Sequence, residues 1–356
     1  MISRVTIYIV LIAFLAACSG PGYYLQAAAG QWKLMHSRQD IQSLLDDPAT
    51  SSELAADLLA AEQIKAFAES NLDLPGNGSY SSYVEVDGEA LVWNVVATEE
   101  FSLEAKKWCF PVAGCVPYRG FFKQQKAKDS AAQLRKKGMD VFISPAAAYS
   151  SLGWFNDPLL STMVSGSDIR LAAYLFHELA HQRLYIKGDG MFNEGYASFV
   201  EETGIKLWLE SRQRQDELLH RQRLQNASKD FQKLIGEVRY DLAVIYHTDK
   251  PETIKRQQKA EVFQSFSDSY EQLSTEKWND KRYYASWFES PVNNARLALY
   301  NTYEGSHCAF QELFDQAKGD LPEFHRLAEQ KSRLQIEDRA VWLKRTCTGK
   351  TASGEF

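Results

Sequence analysis

The chain is poor in proline and glycine, with 10 and 20 among 356 residues, which excludes collagen-like and low-complexity architectures. It has no surplus of positive charge: 46 acidic against 40 basic residues leave a net charge of −6. A phosphate backbone is bound through clustered Lys and Arg, and no face-sized basic stretch occurs, so nucleic acid is not an expected partner. There is no internal repeat. Cysteine is scarce, with five residues in all. What remains is 45% hydrophobic, too apolar for a disordered chain and long enough for a large core in one or two domains. The sequence reads as an enzyme or a binding protein.

Residues 1–17 carry one charge, Arg4, then an apolar run from Val5 to Leu15 and the small residues Ala16 and Ala17. That run is about half the roughly 20 residues a membrane helix needs, so it reads as a signal peptide and not as an anchor. Leu15-Ala16-Ala17-Cys18 resembles the lipobox of bacterial lipoproteins. The resemblance implies that Cys18 is acylated as the mature N-terminus and that its acyl chains hold the protein on a lipid bilayer. Ser19 stands where Asp would imply inner-membrane retention, which implies the inner leaflet of the outer membrane, facing the periplasm. Residues 18–31 then read as a lipidated tether and 32–356 as the body, containing sheet to about residue 165 and helical from about 166.

Without Cys18, four cysteines remain: Cys109, Cys115, Cys308 and Cys347. An even number in an exported chain fits two disulfides. Pro111 and Gly114 can turn the chain between Cys109 and Cys115, which favours that pair and, by subtraction, Cys308 with Cys347, out of the three pairings four cysteines allow. The six-residue separation is not a CxxC and has no neighbouring His, which disfavours a metal site there.

Trp32 to Asn71 has helical periodicity broken at Asp47-Pro48. Tyr80–Val86 and Ala90–Ala97 are alternating runs joined through Asp87-Gly88, the pattern of a β-hairpin. Phe121–Lys137 reads as an amphipathic helix closed by Gly138, and Asp140–Ser144 as a strand ended by Pro145. The order strand, strand, helix, strand implies an α+β fold with a small mixed sheet. Residues 167–211 read as helix apart from a glycine-containing connection, and 212–274 as long, mostly helical segments with a break at Asp249-Lys250-Pro251, giving a mainly helical C-terminal half.

The chemistry concentrates in Leu175-Phe176-His177-Glu178-Leu179-Ala180-His181-Gln182, an HExxH. Spacing of four places His177 and His181 one turn apart on one helix face, so two imidazoles converge on one ion. Glu178 lies beside them, where a general base for an attacking water belongs. Ser167 or Asp168 supplies the N-cap and Gly188 the stop. Residues 182–193 suffice to end this helix, turn at Gly188 and Gly190, and begin an antiparallel helix that presents Glu194 to the same ion. Two His and one Glu leave a fourth position open, the pattern of a catalytic Zn2+ site.

HELAHQ followed by Asn193-Glu194-Gly195-Tyr196-Ala197-Ser198-Phe199-Val200-Glu201 resembles the gluzincin metallopeptidases, and the second stretch is similar to the zinc-ligand helix of the aminopeptidase N family. The resemblance implies a gluzincin-like core with an HExxH active-site helix, zinc ligands His177, His181 and Glu194, and Glu178 as the catalytic base and acid. The connection between the ligand helices is shorter than in aminopeptidase N and no GAMEN-like segment occurs, so that family's grip on a substrate amino group does not carry over. Over its whole length the chain resembles a zinc aminopeptidase family of Gram-negative bacterial lipoproteins. That likeness runs from the lipobox and Gly22-Tyr23-Tyr24 through Trp108–Cys115 and Leu152-Gly153-Trp154-Phe155 to the C-terminal helices.

Secondary candidates follow. Residues 145–155 stand in order where an edge strand would take an extended peptide substrate. Tyr300 and Tyr303, on an expected helix from Asn293 to Tyr303, are candidate donors to a developing oxyanion. Glu201, seven residues after Glu194, and Asn193 are candidates to support a ligand or to contact substrate. His36, His220, His247 and His325 show no partner pattern. The expected function is a zinc-dependent peptidase, an aminopeptidase acting on peptides, with one Zn2+ per chain. Two alternatives stand beside it: an endopeptidase or cell-wall amide hydrolase on the same centre, or a non-catalytic envelope lipoprotein that binds peptides or proteins.

Overall fold

In the computed structural model the described residues are 21–110, 114–146, 151, 155–164, 166–304 and 306–344, without the side chains of 21 and 301–304. The chain opens with helix α1 (Pro21–His36), the short strand β1 (Gln39–Asp40) and helices α2 (Ile41–Asp46) and α3 (Ser52–Leu72). The break at Asp47-Pro48 falls where the sequence put it. The expected tether instead winds into α1 from Pro21, a residue suited to a first helical turn because it has no N–H to leave unpaired.

Strands β2 (Ser82–Val84), β3 (Val92–Thr98), β4 (Trp108–Phe110), β5 (Gly114–Val116) and β6 (Arg119–Phe121) precede helix α4 (Gln124–Arg135); β7 (Asp140–Ala146) and β8 (Leu159–Leu160) follow it. They form three small sheets, ordered β1-β2-β8, β6-β3-β7 and β4-β5, in place of one mixed sheet. The expected hairpin does not form. Gly88 does take a positive φ of 93°, yet β2 pairs antiparallel with β1 and parallel with β8, while β3 pairs antiparallel with β6 and β7. Tyr83 and Val84 are buried in one core and Val95 and Ala97 in another, so the two runs separate because their apolar faces go to different places. Phe121 belongs to β6 and α4 starts three residues later. Pro145 does not end β7 but sits in register with Trp93, on an edge strand where a missing N–H breaks no ladder.

Every described strand lies before residue 161 and the remainder is helical: α5 (Ser161–Val164), α6 (Asp168–Arg183), α7 (Gly190–Ser211), α8 (Gln215–Tyr246), α9 (Glu252–Glu276), a 3-10 turn (Ala285–Phe288), α10 (Asn294–Glu304), α11 (His307–Gln316), α12 (Leu321–Ser332) and α13 (Ile336–Leu343). None of the described helices is long and apolar enough to cross a membrane. The main core brings α3, α6 and α7 together with α11, α12 and α13, through Leu58, Ile64, Leu175, Phe192, Phe310 and Phe324 among others. A second, aromatic core built on Phe231, Phe266, Tyr270 and Trp287 holds α8 against α9. The third lies between the β6-β3-β7 sheet and α4. The disulfide Cys109–Cys115 joins facing residues of β4 and β5, as expected from the turn residues. Cys308 is also disulfide-bonded, while Cys347 and the lipobox with Cys18 lie outside the described residues.

His325, which had no pattern in the sequence, is 3% exposed in the main core. Its Nε2 is 2.8 Å from the Leu72 carbonyl and its Nδ1 2.7 Å from the Tyr196 hydroxyl. A neutral ring satisfies both by donating to the carbonyl and accepting from the phenol. Burial lowers its pKa, outweighing the hydrogen bond to Leu72. Below the ordinary His value of about 6.5 the unfolded chain therefore binds a proton that the folded chain refuses. Stability is expected to be fully present above that value and to fall as pH drops towards the depressed folded one. Thermal melts from pH 7.5 to 5 check this; a slope equal in the protein and in His325→Gln would refute it.

Candidate metal centre

Helix α6 begins because Ser167 caps it, its hydroxyl accepting from Arg170 N at 3.2 Å, with Asp168 in the first turn where a negative charge suits the helix dipole. Leu171, Ala172, Leu175, Phe176, Leu179 and Ala180 are buried, the stripe expected of a 3.6-residue period. That stripe fixes the rotation of the helix and turns His177 and His181 towards α7. The connection turns at Gly188, φ 82°, and α7 starts at its cap Asp189, which accepts from Phe192 N at 3.1 Å. Asn193 is 1% exposed and its amide group bridges both backbone polar groups of Ile186 at 2.8 Å. It braces the connection from within, which sets the distance between the two helices.

Glu194 faces the histidines in consequence. His177 Nε2 is 3.1 Å from His181 Nε2 and 3.3 Å from Glu194 Oε2, and His181 Nε2 is 3.6 Å from that oxygen. Among the described residues this is the group of three that could hold a metal ion. On the far side of the ring, His177 Nδ1 lies 3.2 Å from Glu201 Oε2. A carboxylate there accepts a hydrogen bond from Nδ1–H, which fixes the tautomer and leaves the Nε2 lone pair facing His181 and Glu194. Glu194 and Glu201 share one helix face through their seven-residue spacing. The next residue, Gly195, has no room for a side chain: an added Cβ would lie 1.7 Å from Ser306 Oγ, so glycine is what lets the start of α11 close over α7.

Charge is balanced within this cluster. Burial would raise the Glu194 carboxyl, but hydrogen bonds and charge from His177 and His181 hold it down at about 2. Burial would lower His177, and the carboxylates of Glu194, Glu201 and Glu178 overcome that and raise it well above the ordinary His range. A cation is what these donors are built to share, whether protons or a metal, and loading a metal displaces protons.

Three tyrosines that sequence reasoning passed over respond to the charges of this cluster. Burial and then the charge of Glu178 push the Tyr80 phenol up; burial and then Glu194, with Tyr185 and Glu178, do the same to Tyr118, and burial and then Glu194 raise Tyr185. Tyr185 follows His181 by four positions, a spacing that could have been noticed, and the two rings lie 6.2 Å apart. Tyr118 follows the disulfide-bonded ribbon, whose Gly114 approaches Gly188 in the α6–α7 connection so closely that a Cβ would be 2.9 Å from its backbone nitrogen. Nothing in the sequence signalled that placement. Tyr300 goes elsewhere, its ring packed against Phe231 and Trp287 in the second core. Tyr303 is on α10, its side chain outside the described residues. Of the expected substrate strand 145–155, Pro145 and Ala146 belong to β7, and most of the rest lies outside the described residues. A separate cleft lined by Glu100, Asp140, Arg256 and Lys259 has these charges paired with one another, Lys259 to Asp140 and Arg256 to Glu100, both at 2.6 Å.

No curated protein and no solved structure matches this chain. The model of a family described as "Putative aminopeptidase" matches residues 22–343, a span that includes α6, α7 and all three cores. The chain belongs to that aminopeptidase family.

Proposed function

We propose that the protein is a zinc-dependent peptidase that removes N-terminal residues from peptides. The observation that carries this reading is the spacing of the three donor atoms. Tetrahedral zinc with arms of about 2.0–2.1 Å has edges of about 3.3–3.4 Å, and the separations here are 3.1, 3.3 and 3.6 Å. Two neutral nitrogens and one carboxylate are also the donor chemistry of catalytic zinc. The gluzincin-like part of the reading rests on the same residues and their order.

When bound, zinc supplies Lewis acidity for the scissile carbonyl and lowers the cost of deprotonating water. The protein supplies the rest. Glu178, adjacent to His177 on the same helix, takes the proton of the attacking water as its oxygen bonds to the carbonyl carbon, then delivers that proton to the departing amine as the C–N bond breaks. Glu201 keeps His177 in the tautomer that binds metal. Replacing Glu201 by Ala is expected to weaken zinc retention by about 10- to 100-fold, measured by competition with a chromogenic chelator; unchanged affinity would remove Glu201 from this role.

The family description favours a free peptide N-terminus as the substrate feature. Acylated Cys18 and a periplasm-facing position on the outer membrane complete the proposal, and the lipobox is what supports them. The test is metal content with hydrolysis of matched free and N-acetylated fluorogenic peptides. About one zinc per chain with cleavage confined to the free set is the expected result. Cleavage of both sets would make the enzyme an endopeptidase, and bound zinc with no cleavage of any peptide would point to a binding role.

A further inference from the structure

Helix α1 buries one side and leaves the other bare. The Tyr23 ring lies 5.6 Å from that of Phe110 and 5.7 Å from that of Phe121, Gln26 Oε1 accepts from Phe122 N at 3.2 Å, and Leu34 is buried in the main core. Gly30 runs so close to the Phe122 ring that an added Cβ would be 2.2 Å from its Cγ. Positions 23, 26, 30 and 34 follow helical spacing, so these contacts fix the rotation of α1 against β4 and β6. The opposite side must then face outward. It carries Leu25, Ala28, Ala29 and Trp32, all exposed, with Leu25 at 71% and Trp32 at 64%. The His36 ring, 4.0 Å from that of Trp32, extends the stripe by another turn. Single exposed apolar side chains are ordinary, but a continuous stripe containing Trp calls for a cover.

Covalent reach and charge both identify that cover. Only Ser19 and Gly20 separate Cys18 from the first residue of α1, and three peptide steps span at most about 11 Å. An acylated Cys18 sits at a bilayer surface, so it holds the start of this 16-residue helix at headgroup level. In a chain of net charge −6, no Asp or Glu occurs before Asp40, whereas Lys33 and Arg38 do. The carboxylates that an anionic lipid surface would repel are thus missing from this stretch alone. The nearby acid Asp87 lies 3.6 Å from Lys33 Nζ at the edge of the stripe, which offsets its charge. Trp is suited to this depth, where an amphipathic ring meets apolar chains on one side and water on the other.

We propose that α1 lies along the surface of the lipid bilayer, with Leu25, Ala28, Ala29 and Trp32 set into the headgroup region. The proposal rests on the lipoprotein reading above. Because the other side of the helix is locked onto β4 and β6, the contact turns a single-point anchor into a fixed footing and sets how the body stands on the membrane. The β4–β5 ribbon that carries Phe110 also approaches the α6–α7 connection through Gly114, so one short element joins the footing to the metal centre.

The test uses the full acylated protein, labelled with 5-fluorotryptophan, on vesicles of phosphatidylethanolamine and phosphatidylglycerol. Trp32→Phe assigns the 19F resonance of Trp32. That resonance is expected to be lost when the vesicles carry a headgroup spin-labelled lipid and to survive a water-soluble paramagnetic chelate; the resonance of Trp278, in the second core, should survive both. Loss with the chelate would show a wet helix and overturn the proposal. Survival with both agents would mean that a second copy or another protein covers the stripe, and would overturn it too. Leu25→Glu alters an exposed side chain, which the fold should tolerate, and is expected to open Trp32 to the chelate; continued protection would show that the stripe does not make the contact. The mass of the N-terminal peptide tests the anchor separately. An unmodified Cys18 would remove the lipoprotein reading, and the Trp32 signal on the same vesicles would still decide the contact.

Discussion

On the proposed mechanism, Glu178→Gln is expected to lower peptide turnover by about 10²- to 10⁴-fold, the worth of a general base, with zinc binding retained. The amide has nearly the shape of the carboxylate, so packing along α6 is undisturbed, but it cannot take a proton from water or return one to the amine. Metal is retained because the donors come from His177, His181 and Glu194. KM changes little, since Glu178 is asked to contribute in the transition state and not to substrate binding. Steady-state kinetics with metal analysis on the same samples check both halves. Turnover within tenfold of the unaltered protein would mean that another group is the base.

Asp189→Ala is expected to destabilise the protein by about 3–5 kcal/mol, the range for breaking a buried ion pair from one side. Asp189 carries two duties. One carboxylate oxygen caps α7 through Phe192 N, and the other lies 2.6 Å from Arg339 Nε. The two side chains of that pair are 6% and 11% exposed, so little water is on hand to replace the lost partner. Arg339 also donates to the Ser332 and Leu334 carbonyls at 3.0 and 2.6 Å, and it cannot withdraw without breaking the end of α12. Asp189→Asn retains a capping oxygen and should recover about 1 kcal/mol, the typical value of a cap. Urea unfolding of the three proteins measures this; a loss below about 1 kcal/mol for Asp189→Ala would show that Arg339 finds other partners. Since the cap sets the start of the helix that carries Glu194, weaker zinc retention should accompany the loss of stability.

The parts of the site legible in the sequence share one property: their geometry is local. The four-residue spacing of His177 and His181 and the seven-residue spacing of Glu194 and Glu201 each lie within one helix, where rise and turn are fixed by the backbone. Capping by Ser167 and the turn at Gly188 were legible for the same reason, and so was the disulfide of Cys109 with Cys115. Failures came where a partner is distant. Asp87-Gly88 has the chemistry of a hairpin turn, but β2 and β3 found better partners in strands far along the chain. Asn193, a candidate site residue by its place beside Glu194, spends its amide on the Ile186 backbone. Tyr300, a candidate oxyanion donor on the helix from Asn293 to Tyr303, has its ring packed in an aromatic core.

By itself, then, the sequence determined the pair of histidines on one helix face, the glutamate beside them, the helix that brings Glu194 to them and the α+β character of the chain, because hydrogen-bonded helices convert spacing into direction without outside help. Only the tertiary structure decided which residues sense the charges of that cluster and which elements close over it. Tyr80 and Tyr118 arrive on loops, Ser306 closes on Gly195 and Arg339 ties the last helix to the start of α7. Those choices depend on which apolar faces share a core and which buried charges must be paired, and both are settled by long-range packing, which no local period in the sequence encodes.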